Sequence, residues 1–318
     1  MMRVYGAIVV AVYLALVSCG EEAVFEPLPG DDQESFQVEG EWTGRAVLPE
    51  PLVAPAAAVH DGWIYVVGGY ADTGAGTATR HVLRFDPETL DVENLSDFGD
   101  RIAKAAMAVY RDTLVVIGGN SGHRSDVAIR GSVLWYDPDT DSWDGWASLP
   151  DARFRLGAAV VDDALYVVGG ENLTRPPGDS VVVIRGRDVS YGPPPNREFF
   201  NPVAASSVGD TLVMVTSLNS SRVLRLVDGD WIEPLGAPTD GSATAGVLEG
   251  RIHAFDIRPQ PEHRVLFLET GEWRTAPPPP VPVDQAAVVE YGGSLYVIGG
   301  ADDQDVGTRR VQVFTPGG

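Results

Sequence analysis

Of the 23 basic residues in this chain only one is a lysine, and it stands among arginines: Arg101 and Lys104, Arg153 and Arg155, then Arg197. Each group lies just ahead of a short run of small residues, and at the corresponding later places stand Asp240, Asp284 and Gln285. A guanidinium forks onto a carboxylate or sulfate and an ammonium adds a point charge, so these side chains gathered at one mouth would grip an anionic group. A neighbouring aspartate would add a proton donor or acceptor. The competing role is structural, since 45 acids are available to pair with the arginines.

Other chemistry is thinly supported. The five histidines, His60, His81, His123, His253 and His263, show no HxH or HExxH spacing, so no zinc site is expected. His60 and His253 read as turn or core residues. Asp137, Asp139 and Asp141 alternate like the start of a calcium loop, but Ser142 stands where glycine is required and the segment reads as a hairpin. The run Asp302, Asp303, Asp305 reads as a solvated surface. Gly74 to Thr79 is an incomplete phosphate-binding pattern with no helix after it, and no GxSxG nucleophile motif occurs. Neither a cofactor nor a metal is expected.

The elements that would position these residues repeat. WIYVVGG (63–69), TLVVIGG (113–119), ALYVVGG (164–170) and SLYVIGG (294–300) align on their glycine pairs, and DTLVMVTS (210–217) and GRIHAFDI (250–257) are degenerate copies. The steps between them are 40 to 51 residues. Before each comes a small-residue strand, such as AAAVH (56–60) or GAAVV (157–161), and after each a third strand ending in a turn, as in VLRFDP (82–87) and VLWYDP (133–138). A short fourth strand then begins at Val92, Trp143, Val189, Trp231 or Trp273. The sixth unit lacks that fourth strand, whereas Glu39 to Pro49 has its pattern at the other end of the chain. The expected fold is therefore all-β: a six-bladed propeller over 40–318 with four-stranded antiparallel blades, its last blade closed by an N-terminal strand at about 40–48.

The apolar strand, the glycine pair, the aromatic-Asp-Pro turn and the following tryptophan resemble the kelch repeat over all of 40–318. The fourth and fifth units depart by losing the glycine pair, and the first and third by valine in place of tryptophan. The resemblance implies binding through the loops around one channel mouth, and Arg153 falls where kelch repeats often carry arginine. In outline the ring is similar to the periplasmic sialic-acid mutarotases, which handle an acidic sugar with arginines and acids at the mouth. Copper chemistry of the galactose oxidase type is excluded, because it needs a cysteine crosslink and the only cysteine, Cys19, lies outside the repeats.

Met1-Met2-Arg3 and the apolar run 4–17 read as a secretory leader, too short for an ordinary membrane span. Leu16-Val17-Ser18-Cys19 looks like a bacterial lipobox, which makes 1–18 a signal peptide, Cys19 the lipid attachment site and 19–39 a tether. The tether holds seven acids and no base, so it stays extended and leaves 38 acids against 22 bases in the ring. A formal charge of −22 opposes binding to nucleic acid or to an anionic membrane surface. The expectation is an exported, membrane-anchored lipoprotein, facing the periplasm or the cell surface. It is a monomer that touches the membrane only through its anchor and binds a protein or glycan without catalysis; the alternative is an enzyme of the mutarotase kind.

Overall fold

A computed structural model describes residues 37–71, 76–122, 127–172, 180–194, 202–216, 222–232, 243–257 and 261–317. The leader, Cys19 and most of the tether lie outside this set. Every element in it is a strand, and no helix among the described residues is long and apolar enough to cross a membrane.

The first strand, β1 (Gly40–Ala46), belongs to the last blade. Blade one is β2 (Ala56–His60), β3 (Trp63–Val67), β4 (Val82–Phe85) and β5 (Val92–Asn94). Blade two is β6 (Ala106–Val109), β7 (Leu114–Ile117), β8 (Ser132–Asp137) and β9 (Ser142–Ser148), and blade three is β10 (Phe154–Val161), β11 (Ala164–Glu171), β12 (Val182–Arg185) and β13 (Asp188–Tyr191). Blade four is β14 (Pro202–Val208), β15 (Thr211–Thr216), β16 (Arg222–Val227) and β17 (Asp230–Ile232). Blade five is β18 (Ala243–Leu248), β19 (Arg251–Asp256), β20 (Glu262–Phe267) and β21 (Glu272–Ala276). Blade six is β22 (Ala287–Tyr291), β23 (Ser294–Ile298), β24 (Arg310–Pro316) and β1. All pairings are antiparallel, and β1 lies along β24 with Trp42 opposite Phe314. Trp143 opposite Tyr136 and Trp273 opposite Leu266 hold the same place in their blades, so the N-terminal strand enters in the register of a true fourth strand.

The innermost strands β2, β6, β10, β14, β18 and β22 touch in that order, and β22 touches β2. Crowding at the axis explains their small residues: a Cβ placed on Gly157 of β10 would come within 2.6 Å of the Ala205 Cβ of β14. The second strand of a blade is buried on both faces. Tyr65 and Val67 of β3 enter the core shared with blade two, and Ile64 and Val66 enter the core shared with blade six. Six such cores fill the six seams, so each blade depends on both neighbours for its apolar contacts.

The glycine pairs stitch these seams. In blade two Gly118 and Gly119 have φ of 61° and 91°. The Gly119 N–H donates to the Arg153 carbonyl of blade three at 2.9 Å, while a Cβ on Gly118 would lie 2.5 Å from that oxygen. Gly69 bonds Ile102 in the same way at 2.9 Å, and Gly300 bonds Leu52 at 2.8 Å across the closing seam.

The seam between blades five and six holds a buried polar pair. His263 Nδ1 lies 2.9 Å from the Pro277 carbonyl, which can only accept, so that nitrogen carries the proton. His263 Nε2 is then the acceptor for the Nδ1–H of His253 at 2.8 Å, which fixes both tautomers. Trp42 donates to the same Pro277 carbonyl at 2.8 Å, and its ring and that of Phe314 pack on His263. Burial lowers His263 to about 4, only partly offset by the Pro277 bond. Burial, then His263, then Arg251 hold His253 well below its ordinary value.

Gly118→Ala should cost about 3 kcal/mol in urea unfolding, against about 1 kcal/mol for Gly209→Ala, whose left-handed turn opens onto empty space; equal losses would contradict the seam role. Because both histidines are neutral in the fold and titrate near 6.5 when unfolded, their contribution is complete above pH 6.5 and is lost as pH falls toward 4. The melting temperature should drop over that interval in the wild type and markedly less in His253→Gln/His263→Gln.

Candidate functional site

The repeat places one residue of blades one, two, three and six in a common arc just ahead of the innermost strands. Ala54, Lys104, Arg155 and Gln285 have φ of 53–54°, a left-handed conformation that is unusual for residues with a Cβ. Their backbones form an arc: the Ala54 N–H donates to Gln285 O at 2.8 Å, Lys104 N–H to Ala54 O at 3.0 Å, and Arg155 N–H to Lys104 O at 2.8 Å. Lys104 and Arg155 therefore project from roots one hydrogen bond apart. The arc exists because the seam bonds already hold the preceding segments, Leu52, Ile102 and Arg153, against the glycines of the neighbouring blade.

A second set of side chains comes from the residue after each glycine pair. Tyr70, Asn120 and Glu171 pair in antiparallel bridges with Val53, Ala103 and Phe154, the residues just ahead of the left-handed positions. Tyr70 donates its hydroxyl to Asn120 Oδ1 at 2.8 Å, and Arg155 Nη1 donates to Glu171 Oε1 at 3.0 Å. Lys104 Nζ lies 5.4 Å from the centre of the Tyr70 ring. Burial first, then the charge of Arg155, lowers the Lys104 ammonium to about 8, and Glu171 and Asp284 oppose that shift. Burial raises the Tyr70 hydroxyl above its ordinary value. The cluster thus has two adjacent cations, one of them easily deprotonated, with a carboxylate beside them and an aromatic face under the amine.

Of the residues singled out in the sequence, the structure joins Lys104, Arg155 and Gln285 in the arc, with Asp284 next to Gln285 and accepting its N–H at 2.7 Å. Arg153 is elsewhere. It is 3% exposed, and its guanidinium donates to Gly169 O, Ser180 O, Ser180 Oγ and Asp151 O, so it ties blade three together and does not reach the mouth. Arg101 donates to Ala78 O and accepts from Arg130 through its own carbonyl, in the joint between blades one and two. Arg197, Asp240 and Cys19 lie outside the described residues. Tyr70, Asn120 and Glu171 were missed; their common signal was the position after the glycine pair.

Two other features lie apart from this cluster. At the turn end of blades one and two, His60, Asp61 and Asp112 bring donor atoms within 4.8 Å of one another, the two acids being exposed. A cleft of about 230 Å³ between blades three and four is lined by Asp162, Asp210, Asp228 and Tyr166 and shares no residue with the axial cluster.

Residues 51–98, which include blade one, match the Kelch motif. Kelch-like protein terF of Aspergillus terreus is 26% identical over 278 residues, 84% of this chain and 54% of its own length. Kelch-like protein 36 of Bos taurus is 28% identical over 134 residues, 42% of this chain, and Kelch-like protein 34 of Homo sapiens 32% over 132, or 41%. The matched stretch spans about half the length of the first of these relatives and about a fifth of the other two. Among solved structures, that of YjhT superposes with a TM-score of 0.66 at 15% identity, covering 82% of this chain and 95% of the other. Fold and repeat agree, and this chain is a six-bladed β-propeller that carries a Kelch motif in its first blade.

Proposed function

We propose that this propeller is a binding module that takes a carboxylate-bearing group, presented by a glycan or a protein, at its axial mouth. Kelch propellers commonly serve as protein-interaction modules. The observation that carries the reading is the pair of cations on the arc: the Lys104 ammonium donates no hydrogen bond to any described residue, and Arg155 satisfies one edge on Glu171 and keeps 39% of its side chain exposed. In a chain of formal charge −22 such a pair is sited where an incoming anion would satisfy it. We further propose that Cys19 is lipidated after removal of 1–18, so that the ring is exported and held at a membrane by the acidic tether.

A second reading is mutarotation of an acidic sugar. The outline similarity to the periplasmic sialic-acid mutarotases motivates it, and Lys104, lowered to about 8 beside Glu171, offers the donor and acceptor that such chemistry needs.

One screen separates the readings. With N-acetylneuraminate, glucuronate and an acidic peptide, at least one should raise the melting temperature, and Arg155→Ala should weaken that ligand roughly tenfold to a hundredfold. Anomer exchange followed by NMR should stay at the uncatalysed rate; acceleration that depends on Lys104 would transfer the conclusion to the second reading, and no thermal shift with any anion would refute both. Fatty-acid labelling in a bacterial host should mark the wild type and not Cys19→Ser; equal labelling would refute the anchor.

A further inference from the structure

The single lysine sits where an amine can react. We propose that Lys104 captures the carbonyl of a 2-oxo acid as a reversible imine while Arg155 holds the acid's carboxylate, an inference that rests on the axial mouth being a carboxylate site. Three observations converge. First, Lys104 supplies the only side-chain amine in 318 residues, and the repeat sets it on the arc, although a binding role alone would be served equally by another of the 22 arginines. Second, its root is fixed by the 3.0 Å bond to Ala54 O and the 2.8 Å bond from Arg155 N–H, so the amine and a carboxylate-binding guanidinium start from adjacent places on one arc. Third, the amine is half-buried over the Tyr70 ring and beside a second cation. Desolvation and a neighbouring positive charge are the two ways in which a lysine is made nucleophilic at neutral pH. With Lys104 lowered to about 8, about a quarter of it is neutral at pH 7.5, against roughly one part in a thousand for an ordinary lysine.

The step balances without any further reagent. The neutral amine of Lys104 adds to the carbonyl carbon, and the π pair moves to oxygen. The proton lost by nitrogen passes to that oxygen, with the Glu171 carboxylate as the carrier that faces the cation pair. Loss of the hydroxyl as water then leaves the carbon–nitrogen double bond. Amine and carbonyl give imine and water, with no oxidation or reduction. The ligand's carboxylate stays opposite Arg155 throughout, and the imine nitrogen takes from solvent one proton, equal to the one the ammonium released before attack, which restores the charge that Lys104 carried.

The test uses the full chain with pyruvate and cyanoborohydride at pH 7.5, read by intact mass and peptide mapping, with lactate as the carboxylate that has no carbonyl. The expected result is one side-chain adduct, on Lys104, which peptide mapping separates from reaction at the N-terminal amine, formed about tenfold faster than on the same residue in the urea-unfolded chain. Lys104→Arg should lose the adduct. Arg155→Gln should slow trapping of pyruvate about tenfold relative to trapping of acetone, which has no carboxylate to hold. If lactate and pyruvate both shift the melting temperature and pyruvate is trapped no faster than in the unfolded chain, the imine is refuted and the anion site stands. If neither shifts it, the underlying reading fails. Adducts insensitive to Arg155 would overturn the assigned geometry.

Discussion

The bond that the second glycine of a pair donates to a carbonyl of the next blade, seen at Gly69, Gly119 and Gly300, is the contact on which the rest of the ring depends. It requires a backbone approach that a Cβ on the first glycine would prevent, as at Gly118 against Arg153. Once Leu52, Ile102 and Arg153 are held by it, the chain must turn within two residues to enter the crowded innermost strand, and the left-handed residues Ala54, Lys104 and Arg155 make that turn. Their hydrogen-bonded arc is a consequence of the seams. In blades four and five Thr216 and Asp256 occupy the place of the first glycine and are buried.

The seams are alike in plan and differ in content. Most are filled by branched aliphatics with a tyrosine or tryptophan at the outer edge. The one between blades five and six carries His253 and His263 with fixed tautomers under Trp42, the residue that anchors the closing strand. Acid sensitivity is therefore located where the two ends of the ring meet. At the axial mouth charge is kept half in contact with solvent, and a cation is lowered first by its burial and then by its neighbour.

Much of this was legible in the residues. The four glycine pairs, the Asp-Pro turns and the orphan strand at 40–48 fixed six blades and the closure, since each has a steric or hydrogen-bonding reason that operates locally. The mouth was read less well. Arg153 and Arg155 are two apart, and strand alternation would send both to one side; the left-handed turn at Arg155, with φ of 54°, breaks the alternation and turns Arg153 into the blade. Nothing in the residue types announces that turn, because arginine, lysine and glutamine are not left-handed formers. Tyr70, Asn120 and Glu171 escaped notice because a search for cations passes over the uncharged and acidic residues that frame them.

That the axial cluster is a poised cation pair can be measured directly, because the chain has one lysine. Reductive methylation with a ¹³C label gives Lys104 an NMR resonance that Lys104→Arg lacks, which separates it from the N-terminal amine, and its titration reports the environment. The structure requires a midpoint near 8 in the folded protein, a rise in Arg155→Ala and a value near the ordinary 10.5 in urea. A folded midpoint at or above 10, unmoved by loss of Arg155, would contradict the account.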